Sequence, residues 1–176
     1  ETTGHPFFFT SLLQSLREEG LLVDAAKTDW QMLARTDPGL ALPDAIRDSV
    51  LSRLQRLQQS ERDVLDWMAV YGRSIEFSTL QAINNQSQIV LLNAVEQLTA
   101  LQLLDDKTGK YDFNHNKIRE VVYDDLSRTR RRLYHQQIGN TLEKMTSSTD
   151  ISAILAYHFE RGDKNEAALN YWMQAG

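Results

Sequence analysis

The side chains best able to bind a metal or move a proton are four histidines, His5, His115, His135 and His158, spread over 176 residues. Metal ligands are recognised in a sequence by close, regular spacing, and these four lack it, so no metal site is expected. There is no cysteine, which removes disulfides, thiolate nucleophiles and cysteine-based zinc sites. The acidic pairs Glu18-Glu19, Asp105-Asp106 and Asp124-Asp125 are sequence neighbours. Adjacent residues on a helix point in different directions, so they are read as solvated surface and not as acid–base dyads. The sequence holds no phosphate loop, no Gly-x-Ser-x-Gly elbow and no His-Glu-x-x-His pair. Lys107-Thr108-Gly109-Lys110 is a hairpin turn and not a phosphate cradle. No catalytic residue is assigned, and the chain is not expected to be an enzyme by itself.

Positive charge is densest at Arg128, Arg130, Arg131 and Arg132, with Lys117 and Arg119 upstream. Four guanidinium groups spread around the start of a helix suit phosphate or an acidic partner. They are equally placed to pair with Glu120, Asp124 and Asp125 nearby. The sequence leaves both readings open.

Elements must position these groups, and composition says which kind. The chain is 41% hydrophobic and 24% charged, an ordinary globular balance, and long enough for one generous domain or two small ones. Eight glycines and three prolines are about half the usual share. Few breakers with many Leu, Gln, Arg and Glu favour helices. A net charge of −5 argues against bulk attraction to nucleic acid or an anionic membrane. No apolar run approaches the roughly 20 residues that span a bilayer. The sequence opens on Glu1 and closes within a helical pattern, and is expected to be a segment of a larger cytoplasmic protein.

Pro6 suits the first turn of a helix, and Phe8, Leu12, Leu13 and Leu16 recur at helical spacing before Gly20. Residues 21–23 and 30–33 form a candidate hairpin, and 36–42 a linker. After Pro43, the residues Ile46, Val50, Leu51, Leu54 and Leu57 make one apolar stripe. Ser60-Glu61-Arg62-Asp63 has the form of a capping box, opening a helix to Val70. Ser78 is placed to cap a short helix to about Ile83, and a longer helix is expected over 88–101. Leu103-Leu104-Asp105 and Lys110-Tyr111-Asp112-Phe113 are strands around a turn. Helices follow from Asn116 and, capped by Ser127, through Leu133, Ile138, Leu142 and Met145. The run 146–149 is a loop; 151–161 and 164–175 form a closing helical hairpin, with Asp163 to Glu166 as a second capping box.

The fold expected is mainly α: a winged-helix domain with a small β-hairpin wing, flanked by a helical lid fragment and a helical-repeat hairpin. Its expected divisions are 1–42, 43–126 and 127–176. The third helix of such a fold commonly enters the DNA major groove. Here 88–101 holds no Lys or Arg, the residues that make phosphate contacts. That helix is expected to pack against protein, and nucleic acid is not the expected partner.

Two segments together resemble a known family. They are Thr3-Gly4-His5-Pro6-Phe7-Phe8 and the stretch from Tyr111 through His115, Asn116, Ile118, Arg119 and Glu120 to Tyr123. The chain resembles the region after the nucleotide-binding core in signal-transduction ATPases with numerous domains, which include large LuxR-type regulators and cyclase-linked ATPase modules. The resemblance implies that Gly4 and Pro6 open the helical lid beside adenine, with Phe7 and Phe8 anchoring it. It implies that His115 approaches the β-phosphate of ADP and holds a resting state. Asn116 stands where the family has aspartate, and an amide supplies no carboxylate to orient an imidazole. Apart from the resemblance, His115 is a histidine at a strand end with a structural role. The last hairpin, with Ala156, Tyr157, Phe159, Ala167, Tyr171 and Trp172, is similar to one tetratricopeptide-type repeat.

The resemblance implies a regulatory segment of an ATP-dependent signalling protein, most simply a transcriptional regulator. ATP or ADP would be the cofactor of the parent protein and not of this chain alone. The partners implied are the upstream nucleotide-binding domain and proteins held by the helical arm. A DNA-binding winged helix and a passive helical-repeat scaffold are the rival readings.

Overall fold

The computed structural model describes residues 44–145 and 151–176. The protein is mainly helical, with one small three-stranded antiparallel sheet. The chain divides into two compact units, Glu1–Arg56 and Leu57–Gly176. Of the first, the described part is helix α1, Asp44–Gln55. Its stripe buries Val50 and Leu54, two of the positions that helical spacing selects. The expected lid helix, the 21–33 hairpin and Gly4 and Pro6 lie outside the described residues.

The second unit is built around α2, Gln59–Tyr71. Val64 to Val70 are buried without interruption, as befits a helix covered all round. It packs against α3 (Phe77–Ile83), α4 (Gln88–Ala100), α5 (Asn116–Asp125) and α6 (Arg128–Met145). The capping box begins two residues earlier than the Ser60 signature implies. Gln58 is the cap, and its backbone N–H donates to Glu61 Oε2 at 2.9 Å. The third helical residue must be the acid in such a box, and with Gln58 as cap that residue is Glu61. Gly72 ends the helix at φ 80, the left-handed conformation that glycine adopts without strain.

Strand β1, Ile75–Glu76, was not expected; it is two residues long, too short to show period-two alternation. It pairs with β3 (Lys110–Phe113), which also pairs with β2 (Leu104–Lys107). Ile75, Leu104 and Phe113 point inward. The short helix α3 starts at Phe77 with Glu76 before it, so Ser78 lies inside it and is not its cap.

The β2–β3 turn is Lys107-Thr108-Gly109-Lys110, with Lys107 paired to Lys110. Thr108 (φ 56) and Gly109 (φ 83) make the two-residue left-handed turn that matches strand twist. Threonine is β-branched and poorly suited to positive φ, whereas asparagine tolerates it. Thr108→Asn is therefore expected to stabilise the fold by about 0.5–1 kcal/mol. Urea denaturation reads this directly, and an unchanged or lower midpoint would contradict the turn assignment.

Helix α7 spans Ser152–Arg161 and α8 spans Asn165–Ala175. Asp163 does not cap α8. It takes φ 58, and the N–H of Lys164 bonds back to Phe159 O at 2.8 Å, the closure of a Schellman motif on α7. On α6 the buried stripe is His135, Ile138, Gly139 and Leu142. Leu133 and Met145, the other apolar residues read along this helix, are about half exposed. Leu133 stands two positions before His135, on the far side of the helix. No described helix is long and apolar enough to cross a membrane.

Candidate functional site

His115 sits where β3 hands over to α5, and it is the N-cap of that helix with extended backbone. The preceding Asn114 ties the junction down. Its backbone N–H donates to Leu103 O at 3.1 Å and its side-chain amide to Gln102 O at 2.8 Å. His115 Nδ1 accepts the backbone N–H of Lys117 at 3.1 Å. A ring nitrogen that accepts carries no proton, so the neutral tautomer has its proton on Nε2. Partial burial, and then the Lys117 charge, lower the imidazole pKa below its ordinary value, while Glu120 opposes them. Lys117 is engaged with Glu120 at 2.8 Å. At neutral pH the group is an uncharged imidazole fixed in one tautomer, a hydrogen-bond donor and not a cation. Asn116, which has the chemistry of a cap, is instead the exposed first helical residue.

The arginine run resolves mostly into ion pairs, with partners that sequence distance hides. Arg131 lies 4.0 Å from Asp124, as adjacency suggests, and over the Tyr123 ring. Arg130 instead approaches Asp66 of α2 at 3.7 Å, and Arg132 reaches Asp163 at 3.1 Å. Asp66 is 1% exposed and also bonds Arg62 Nε at 2.9 Å. Burial raises its carboxyl pKa, against the pull of Arg62 and Arg130. Arg62 continues to Asp125 at 2.7 Å.

The structure brings together two histidines that the sequence separates. His135 of α6 and His158 of α7 are fully buried, with Nδ1 atoms 2.9 Å apart. One ring must donate to the other, so both cannot be protonated there. Tyr123 Oη lies 3.2 Å from His135 Nε2, and His158 Nε2 is buried without a partner among the described residues. A signal existed in the sequence, since His135 falls on the spacing of Ile138, Gly139 and Leu142. The described residues hold no group of three or more candidate ligands for a metal.

The outer face of α4 carries Ile89, Val90 and Leu92, at 71, 43 and 40% exposure. Leu91, Ala94, Val95 and Leu98 face the core. The exposed side of this helix is thus apolar at its start and free of cations throughout.

Comparison with family models, with curated proteins and with solved structures finds no match to this chain.

Proposed function

We propose that this chain is a regulatory, non-catalytic segment of a multidomain ATP-dependent signalling protein, its winged helix serving as a nucleotide-dependent protein-docking element. The order helix, strand, two helices, two strands, with sheet order β1-β3-β2, supports the winged-helix reading. The observation that carries the docking role is the face of α4. Ile89, Val90 and Leu92 are exposed where a DNA reader would present Lys or Arg. Exposed clustered apolar side chains favour a protein partner. The hairpin α7–α8, with Ala156 and Ala168 buried and Phe159 stacked on Tyr171, supports a helical-repeat arm.

In this reading a domain upstream binds the nucleotide, Pro6 helps wall the base, and His115 donates its Nε2 proton to a phosphate oxygen. The winged helix presses on the ADP-bound state and swings away on exchange, a shift between two packings. Neutral His115 suits that task, because a donor without charge holds phosphate loosely enough to release it.

The test uses the longer natural protein and measures ADP retained per chain. His115→Asn keeps a side chain that caps helices well, so the fold should be unchanged while ADP retention falls at least tenfold. His115→Ala should lose ADP too and also cost about 1 kcal/mol of stability. Equal retention in all three proteins would make His115 only a helix cap. No nucleotide in any of them would favour the scaffold reading, and a salt-sensitive gel shift with DNA the DNA-binding one.

A further inference from the structure

We infer that the cleft between the start of α6 and the end of α7 is a binding site for a small phosphate-type dianion. The cleft holds about 260 Å³ and is lined by Arg128, Thr129, Arg132, Arg161 and Asp163. Three guanidinium groups against one carboxylate leave two positive charges, in a chain whose net charge is −5. Two charges match a phosphate monoester or hydrogen phosphate near neutral pH.

The cleft arginines differ from their neighbours in what they touch. Arg130 and Arg131 turn to Asp66 and Asp124. Arg128 makes no ion pair or hydrogen bond through its side chain among the described residues. Arg161 lies over the face of Tyr157, 4.2 Å from the ring centroid, which steadies the guanidinium without neutralising it. Arg132 is held by Asp163 at 3.1 Å. A planar fork steadied by a ring face, as at Arg161, keeps its charge and matches the oxygens of phosphate. Thr129 completes the wall. The volume lies below the roughly 300–1,000 Å³ of sites for larger organic ligands, so the occupant is a phosphoryl group and not a whole nucleotide. None of the residues used for the nucleotide reading takes part, so either idea fails without the other.

The experiment titrates the full chain with inorganic phosphate at constant ionic strength and follows binding calorimetrically and by thermal shift. The expected result is saturable binding that raises the melting temperature, with no such effect from chloride. Arg128→Gln removes a side chain that makes no ion pair or hydrogen bond among the described residues and should weaken binding at least tenfold. Asp163→Asn keeps a residue that accepts positive φ and removes the opposing carboxylate, so it should tighten binding several-fold. A linear response, one that is the same in Arg128→Gln, or weakening in Asp163→Asn would overturn the proposal. A parallel titration with O-phosphoserine separates the sources. Tighter saturable binding than phosphate assigns the site to an esterified phosphoryl group; equal or weaker saturable binding assigns it to the free ion.

Discussion

Taking the pH from 7.5 to 4.5 is expected to remove about 4 kcal/mol of folding stability through His135 and His158 alone. Both imidazoles are fully buried and face each other at 2.9 Å. Burial is the main cause that lowers both pKa values, His135 to about 4 and His158 further still. The charges acting on them are cationic: Arg161 and Arg131 on His135, and His135 itself, then Arg73 and Arg161, on His158. Tyr71, Tyr123 and Tyr157 pack around the pair. They add bulk that keeps water from the pair.

The sign follows from the direction of the shift. In the unfolded chain a histidine takes up its proton near pH 6.5, while in the fold each must wait for more acid. Stability from the pair is complete above about 6.5 and drains as pH falls toward the folded values. Two groups at about 1.4 kcal/mol per pH unit each would give at most about 5 kcal/mol over this range, a third or more of a typical domain's stability. Urea midpoints measured from pH 7.5 to 4.5 test it, beside His158→Phe, which should show about half the slope. Carboxylates such as Asp66 titrate in both proteins, so the difference between the two curves isolates the contribution of His158. His135 and His158 resonances that titrate near 6.5 in the folded protein would refute the argument.

That pair also shows where sequence reading stops. Helical periodicity, the end of α2 near Val70, the closing hairpin of helices and the absence of cations on α4 were legible because each is local. The strand β1 was not, since two residues carry no period and its partner Tyr111 lies far along the chain. The caps slid by a residue or two because Ser, Gln and Glu compete for neighbouring roles at a helix start, and tertiary packing settles the choice. Arg130 with Asp66 and His135 with His158 are contacts between helices. Sequence places each on a face but cannot say which two faces meet. His115 was legible as a residue of interest, and its capping of α5 follows from its position between strand and helix. Its action on a phosphate remains the proposal to be tested with the longer protein.

Gly139→Ala should destabilise the protein by about 2 kcal/mol, although alanine is the better helix former. In an open helix the exchange would gain about 1 kcal/mol. Here the added Cβ would stand 2.8 Å from Phe159 Cε1 and 3.0 Å from Cδ1, inside the closest approach of carbon atoms. The ring has no room to retreat. It is 2% exposed and stacked on Tyr171 with centroids 5.6 Å apart, so α6 and α7 must separate or the ring must leave its rotamer. Overpacking of this kind typically costs about 1–3 kcal/mol, which outweighs the helix propensity and fixes the sign. If the contact with Phe159 is the cause, a smaller and more flexible residue there should relieve it. Phe159→Leu alone should cost about 1–2 kcal/mol for the lost ring volume. In that background Gly139→Ala should be neutral or mildly stabilising, so the double variant departs from additivity by about 2 kcal/mol. Additive losses would place the strain elsewhere on α6. A stabilised single variant would contradict the close packing of α6 on α7 at Phe159.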